Sequence, residues 1–561
     1  MMAMKDGAMD ERLPGILVTG ASGFVGRHFL EAANGKYRLF CLARRSQLEA
    51  GVPRLENQRW TQVDIAHREA LLEVADCVID HGGADVVLHL AGYYDFTYKD
   101  NPEYVRTNVL GTWNVLDLAQ AVGARHFIYS SSLAACRFPP TGTSIDEDSE
   151  PDADFPYARS KRAAEKLIRE HSGSFQRSIL RFAAIYSDWC EYPPVYAFLG
   201  KWLSSAWNAR LLGGRGASAV PYLHIHDLTA MLLKVAAAGD ALPRQCVLNA
   251  SPSHATSHRE MYCAATKFLH GEECRPVGVP RALALPAVAA RQLVLGLLGC
   301  PPFERVWMMR YIDRELRVDA SRTHELLGWE PTPRYDLCRR LLILVENMKS
   351  HPEVWRLRNE AAIVHVAHRP NLIMYEHLRR RREVIVHDVA AAIRHEQGGD
   401  GGRDYERMTE ATLQAYVALF FEVLVGAMRT RDHAPVRTYA RILAFHRKRQ
   451  GFALEHVCRA VRAFRDVIRD SLAGIADPAV TPALVNEYVD LSLQLALDEI
   501  EETYAQLPAK GGEPDGQGDN VNLLSDNIDL VKLVEGLHDV CRDGWDVDRL
   551  FRESAPDESI V

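Results

Sequence analysis

In the stretch FPYARSKRAAEKL, residues 155–167, Tyr157 and Lys161 stand four positions apart in a helical pattern. That spacing puts a phenol and an ammonium on one helix face. Such a pair is either a buried catalytic couple or part of an amphipathic surface helix, and the stretch alone leaves both open. Upstream, VTGASGFVGRHFL sets Gly20, Gly23 and Gly26 behind an apolar run and ahead of a helical one. Glycines at such a turn let the backbone approach a pyrophosphate, whose charge rests on the amides and positive end of the next helix. The strand–turn–helix setting makes this loop, with Ser22, Phe24 and Val25 beside the glycines, a dinucleotide site. The second strand should end at the adenosine ribose, and there the chain reads CLARRSQ, with Arg44, Arg45 and no acid. Basic residues at that tip favour a 2′-phosphate, hence NADP over NAD.

The elements that must hold these residues are legible in the apolar pattern. GILVTG (15–20), YRLFCLAR (37–44), DVVLHLAG (85–92), HFIYSSS (126–132) and SILRFAAIY (178–186) read as strands. They are nearly continuous in apolarity, as parallel strands covered on both faces must be. Amphipathic stretches at 105–122 and 157–171 lie between them. The alternation predicts a Rossmann-type, doubly wound α/β fold. From about residue 351, helical periods take over at 352–368, 371–395, 406–430, 435–450, 453–474 and 481–506, which predicts an all-α bundle. The expected partition is a disordered 1–14 and a domain at 15–350 whose substrate lobe is mainly 187–220 and 245–335. A bundle at 351–508 follows, then 509–561 as linker, one short helix at 525–541 and an acidic tail. The Gly-rich polar segments 396–404 and 508–520 read as flexible linkers.

Composition narrows the class. A chain of 561 residues, 47% hydrophobic and 25% charged, is a soluble multidomain protein. Its net charge of −8 gives no drive toward nucleic acid. The 11 cysteines are scattered without a C-x-x-C pair, so reduced thiols and a cytoplasmic home are expected. The start carries acids and lacks the apolar core of a signal peptide. The segment ALALPAVAARQLVLGLLG (282–299) is broken by Pro286 and Arg291 and is too short to span a bilayer. A lid, a peripheral membrane-surface helix and plain core all stay open for it. Two aromatic segments, with Tyr93, Tyr94 and Phe96 in one and Trp189 and Tyr192 in the other, suit a largely hydrophobic ligand. His224 and His226 have no further ligands at metal-binding spacing, so no metal site is expected. The run Arg379 to Arg382 reads as a solvated basic face.

Eight motifs in order, TGASGFVG, VDI, LHLAG, TNVLGTWNVLDLA, FIYSSSLAA, YARSK, LRFAAIYS and YLHIHDL, resemble the extended short-chain dehydrogenase/reductase family over roughly residues 15–350. The nearest branch is that of 3β-hydroxysteroid dehydrogenases and dihydroflavonol reductases. The resemblance implies that Tyr157 exchanges a proton with the substrate hydroxyl or carbonyl. Lys161 would lower the phenol's pKa and bind the nicotinamide ribose. Ser132, chosen from Ser130, Ser131 and Ser132 for its 25-residue interval to Tyr157, would hydrogen-bond the same oxygen. Asn108 would position the active-site helix through water. Asp64 and Ile65 fall where family counterparts contact adenine, and Leu90, Ala91 and Gly92 where they line the cofactor. Leu133 and Ala134 replace the acidic pair of sugar dehydratases, and Ala135-Cys136 and Arg181-Phe182 depart from many epimerases. The resemblance therefore implies an NAD(P)-dependent oxidoreductase interconverting a hydroxyl and a ketone on a steroid-like or lipid-like substrate. A sugar epimerase and a cofactor-sensing regulator are the alternatives. Residues 449–472 are similar to helical sensor domains of some bacterial stress regulators, so the bundle would dimerise the enzyme, cover its site or dock a partner. Arg162, Glu165 and Lys166, beside the Tyr-Lys pair, are expected on the solvent face.

Overall fold

The computed structural model describes residues 13–506, apart from 97, 298–303, 368–369, 396–402, 407, 431–432, 476 and 478–479. The expectations for 1–12 and 507–561 lie outside the described residues. The chain divides into two compact units, Met1–His368 and Arg369–Val561.

The first unit is built on seven parallel strands: β1 (Gly15–Thr19), β2 (Arg38–Ala43), β3 (Gln58–Gln62), β4 (Val86–His89), β5 (His126–Ser132), β6 (Gln176–Phe182) and β7 (Gln245–Ala250). Their order is 7-6-5-4-1-2-3. Successive residues of β1 feed opposite faces, as the twofold period of a strand requires. Ile16 and Val18 join one buried cluster with Leu39, Cys41 and Leu88; Leu17 joins the other with Phe40, Leu42 and Val87. Helices α1 (Phe24–Ala33), α2 (Arg68–Asp80), α3 (Gly111–Ala121) and α4 (Pro156–Glu170) follow β1, β3, β4 and β5. The order reverses between β1 and β4, so their carboxyl ends open the crevice where doubly wound sheets take ligands.

Four boundaries differ from the sequence reading. The edge strand β3, sequence QRWTQ, is half-buried throughout and too polar to signal itself. β7 belongs to this sheet, although the sequence pattern places 245–335 mainly in the substrate lobe; its polar Gln245 and Asn249 break the apolar run. The 105–122 stretch opens with a π-helix, Tyr104–Leu110, before α3 begins. The helix Pro352–Ala367 falls in the first unit, so the division lies at 368/369 and not at 350/351. It is held there by buried Trp355 and Asn359, four residues apart on one face. The helix Arg281–Leu297 is no core element, because Leu283, Leu285, Leu293 and Val294 are all exposed.

The second unit is helical around one buried cluster that includes Phe421, Leu424, Phe464 and Ile468. Glu410–Arg429 is, among the described residues, the one helix long and apolar enough to cross a membrane, and 78% of it is buried inside the protein. The predicted helix 371–395 is divided into Pro370–Arg380 and Arg382–His395. In the arginine run Arg379, Arg380 and Arg381 are exposed, as a solvated face would be, but two of the four guanidiniums also serve an ion pair. Arg379 and Arg382 both bond the buried carboxylate of Glu422, at 2.5 and 2.7 Å, and Arg381 reaches Ser471.

Candidate functional site

The glycine loop joins β1 to α1. Gly20 has φ +70°, and a Cβ there would lie 2.6 Å from the Ala91 nitrogen on the adjoining β4 turn. A Cβ on Gly26 would lie 2.4 Å from the Gly20 carbonyl, so only glycine lets α1 sit this close to the strand ends. Gly23 caps α1 without a side-chain hydrogen bond, and no acid lies in the first turn. The free N–H groups and positive helix end suit a pyrophosphate, so the residues present fit a dinucleotide. At the β2 tip, Arg45 donates to the Ser22 carbonyl at 2.5 Å, which folds it back onto the glycine loop. Arg44 sits beside it and its carbonyl accepts from Gln62.

Around the rest of the crevice, the predicted cofactor residues are partly engaged in holding one another. Asp64 is buried, pairs with Arg106 at 3.3 Å and accepts from the Ala66 amide. Ile65 is buried, and its side chain abuts Gly111 where a Cβ would lie 2.7 Å from it. Leu90 and Ala91 bond to Thr19 through its carbonyl and hydroxyl. Gly92 is exposed; a Cβ there would lie 3.5 Å from both Asn108 Oδ1 and Lys161 Nζ, so its lack of a side chain keeps that corner open.

Helix α4 presents Tyr157 and Lys161 on one face, as the spacing predicted. The structure separates the three serines. Ser130 donates to the His89 carbonyl at 2.9 Å, and Ser131 donates to Glu165 at 2.5 Å. Ser132 Oγ accepts from the Ala134 amide at 3.2 Å, and of the three serines it is the one whose hydroxyl favours ionisation of Tyr157. Burial pushes the Tyr157 phenol up to about 12, with the Ser132 bond acting against it. Lys161 donates to the Ser130 carbonyl at 2.7 Å, and its nitrogen stands 4.8 Å from the Tyr129 ring centre and 5.8 Å from that of Tyr157. Burial brings it down to about 8, partly countered by Glu165. Desolvation dominates both groups.

Asn108 is fully engaged and acts by direct bonds. Its Oδ1 accepts from the Tyr93 amide at 2.6 Å, and its Nδ2 donates to the Tyr93 carbonyl and to Ser160 Oγ, both at 2.9 Å. Ser160 in turn donates to the Tyr157 carbonyl. Asn108 is thus a positioning residue for α4, and the sequence reading missed Ser160 altogether. Behind it lies a second network. Thr112 donates to the Asn108 carbonyl at 2.7 Å, so its oxygen accepts from His89 Nε2 at 3.0 Å. His89 Nδ1 then accepts from Thr19 at 2.6 Å, and the Thr19 oxygen accepts from Ala91. Burial drives His89 down to about 3, which keeps it neutral.

Glu165 overturns an expectation. Arg162 and Lys166 are exposed, but Glu165 is fully buried. It bonds the equally buried Arg181 at 3.0 and 3.2 Å, and Ser131, while Arg181 also donates to the Ser149 carbonyl. The pair rivets α4 to β5 and β6. A charged residue in an i,i+4 pattern next to lysine gave no sign of this.

The aromatic residues sort into two groups. Tyr94 packs 4.5 Å from the Tyr157 ring and 4.7 Å from Phe96. Tyr192 packs edge-on to Tyr222, with ring centres 6.1 Å apart. Tyr93 and Trp189 are not brought to the phenol. Tyr93 is buried against Tyr104 and donates to Asp95, while Trp189 lies against His351 with Arg358 over its face. Three unpredicted rings join instead: Tyr98, at φ +61°, stacks between Phe155 at 4.6 Å and Trp307 at 4.2 Å. Trp307 lies 150 residues beyond Tyr157 in sequence, where no periodicity could link them. Arg291 and Gln292 tie the exposed apolar helix to this segment through Glu304 and Val306. His224 caps the helix Ile225–Ala238 and bonds Asp188 at 3.2 Å. Among the described residues no three His, Cys, Asp or Glu side chains could hold a metal ion.

A doubly wound sheet, a bare glycine turn at its switch point and a Tyr-Lys-Ser cluster beside it define a dinucleotide-dependent enzyme of the short-chain dehydrogenase class. Residues 16–250 match the NAD dependent epimerase/dehydratase family. Residues 383–507 match the RsbT co-antagonist protein rsbRD N-terminal domain. A probable UDP-glucuronate 4-epimerase of Rhizobium meliloti (strain 1021) is 23% identical over 39% of this chain and 67% of its own. The 3 beta-hydroxysteroid dehydrogenase type 7 of Rattus norvegicus is 33% identical over 30% of this chain and 50% of its own. Among solved structures, UDP-glucose 4-epimerase with UDP-glucose from Thermotoga maritima is 20% identical, with a TM-score of 0.46 over 60% of this chain and 100% of that one.

Proposed function

We propose that the first unit is an NAD(P)-dependent oxidoreductase that interconverts a hydroxyl and a ketone on a hydrophobic substrate. The observation that carries this reading is the convergence of Tyr157, Ser132 and Lys161 at the open end of a glycine-loop crevice. When bound, the nicotinamide would exchange a hydride with the substrate carbon. Tyr157, with its phenol near 12, carries its proton at neutral pH and donates it to the substrate oxygen as the carbonyl is reduced. Ser132 hydrogen-bonds the phenol and orients that proton. Lys161, ammonium below about pH 8, favours the phenolate left behind and is placed to bond the nicotinamide ribose. Asn108 and Ser160 hold α4 in register while this happens.

The hydrophobic reading draws on the Tyr94 and Phe96 rings beside Tyr157 and on the Phe155–Tyr98–Trp307 stack. Arg44 and Arg45, without an acid at the β2 tip, support NADP over NAD. A UDP-sugar epimerase is the second reading, favoured by the likeness to the epimerase relatives. The test is a fluorescence titration with NADPH and NADH, followed by turnover against steroid and long-chain ketones and against UDP-glucose and UDP-glucuronate. NADPH-dependent ketone reduction is expected, with a loss of about 10³-fold or more in Tyr157→Phe. Interconversion of UDP-sugars without net cofactor change would transfer the conclusion to the epimerase. Undiminished turnover by Tyr157→Phe would end both.

A further inference from the structure

The helix Arg281–Leu297 is amphipathic in the reverse sense. Leu283, Ala287, Ala290 and Val294 recur every three or four residues, and all four are exposed. Leu293 flanks this stripe at 66% exposed, and Leu283 within it is 64% exposed. The long polar side chains bond the segment behind the helix instead. Gln292 Oε1 accepts from the Val306 amide at 3.1 Å, and Arg291 donates to Glu304 at 2.9 Å. A surface helix in water shows the opposite arrangement, because burial of its apolar stripe is what holds it to the fold. An outward apolar stripe with the polar groups behind it calls for a nonaqueous cover.

Charge selects the kind of cover. From residue 274 to residue 303 the chain carries Arg275, Arg281 and Arg291 and no acid, although the whole chain is at −8. Arg291 is taken by Glu304, whereas Arg275 and Arg281 are exposed. The strand Val277–Val279 leads into the helix through Pro280 and pairs with Leu211–Gly213. In the turn before that partner strand, Trp207 is 88% exposed. Arg210, exposed as well, ties the two segments together by donating to the Arg275 carbonyl at 3.0 Å. An apolar stripe, an exposed indole and arginines without acids make the composition of a helix that lies among the headgroups of an anionic bilayer. A twofold contact between two copies would double these arginines with no acid on the stripe to answer them.

We propose that the helix Arg281–Leu297, with Trp207 and the arginines around it, docks the first unit on the surface of an anionic lipid bilayer, lying in the interface without crossing it. The docking also bears on substrate access. The Glu304–Val306 segment that this helix holds runs into Trp307, which stacks on Tyr98 and through it on Phe155, two residues before Tyr157. A lipid-soluble ketone would leave the bilayer one short segment from that stack. This last point rests on the oxidoreductase reading; the docking does not.

The test is sedimentation of the full chain with vesicles of phosphatidylcholine alone and of phosphatidylcholine mixed with phosphatidylserine. Binding to the anionic vesicles should be at least about tenfold tighter, the effect of two arginines near a charged surface, and should weaken as salt rises from about 0.1 to about 1 M. The pair Leu283→Glu and Leu293→Glu should cut that binding by about tenfold or more. Both positions are exposed, so the unfolding midpoint should not move, which separates lost docking from lost folding. The milder pair Arg275→Gln and Arg281→Gln should remove most of the preference for anionic lipid. Absence of binding, equal binding to both vesicles, or binding that survives the leucine pair would overturn the proposal. A dimer that the leucine pair dissociates would assign the face to a second copy and overturn it as well. None of these readouts needs a substrate, so docking without ketone turnover would count against the oxidoreductase reading alone.

Discussion

Replacing Glu165 by glutamine is the sharpest test of how the active-site helix is anchored. The carboxylate and the Arg181 guanidinium are both fully buried. Glu165 Oε1 accepts from Ser131 and Arg181, and Oε2 from Arg181 and Arg169. A glutamine amide keeps the shape but turns one acceptor into a donor and strands a buried positive charge. Breaking a buried ion pair from one side typically costs about 3–5 kcal/mol, a large share of the roughly 5–15 kcal/mol that holds a domain together. A solvent-facing glutamate would lose less than about 0.5 kcal/mol. Urea unfolding followed by tryptophan fluorescence isolates the right unit, because eight of the nine tryptophans lie between Trp60 and Trp355. The double variant Glu165→Leu, Arg181→Met removes both charges and should be less destabilised than Glu165→Gln alone. A loss below about 1 kcal/mol in Glu165→Gln, or a double variant no more stable than Glu165→Gln, would refute the reasoning.

Two further outcomes follow from buried titrating groups. With Lys161 near 8, the ammonium beside the phenol is lost above that pH, so kcat/KM should bend downward with an apparent pKa of about 8; a profile flat to about pH 10 would contradict the role given to this lysine. His89, near 3 in the folded chain, has a usual value of about 6.5, so the unfolded chain takes up the proton first. Stability of the first unit should therefore fall as pH drops from 6.5 toward 3, by up to about 4–5 kcal/mol from this group. His89→Asn should flatten that slope in acid-unfolding curves, and an unchanged slope would place the acid sensitivity elsewhere.

The sequence made the dinucleotide turn and the Tyr157–Lys161 face legible because both rest on local spacing, three glycines at a turn and four residues on a helix. The five apolar strands were legible for the same reason. β3 and β7 escaped because edge strands need little apolarity, and the π-helix because one extra residue per turn leaves the apolar pattern almost intact. Long-range partners left no trace. Glu165 reads as one of several charges on α4 until Arg181 is brought beneath it, and Trp307 joins the ring stack only through tertiary packing. Ser132 stands apart from Ser130 and Ser131 in the sequence only by its interval to Tyr157, and aromatic composition at 92–98 and 187–198 carries no information on where each ring points.

The π-helix Tyr104–Leu110 has a bearing on how this segment can change over evolutionary time. It is equivalent to a single inserted residue, with each α-helical residue contributing about 100° of rotation. Asn108 sits inside it and Thr112 just beyond, bonded to the Asn108 carbonyl and, through His89, to the end of β1. Deleting any one residue from 104–107 would rewind the turn and swing Asn108 away from Tyr93 and Ser160, even with every side chain retained. Substitutions along this stretch can be tried one at a time, but its length cannot drift. Alignments of related chains that open a one-residue gap here would therefore mark a change in how the active-site helix is held.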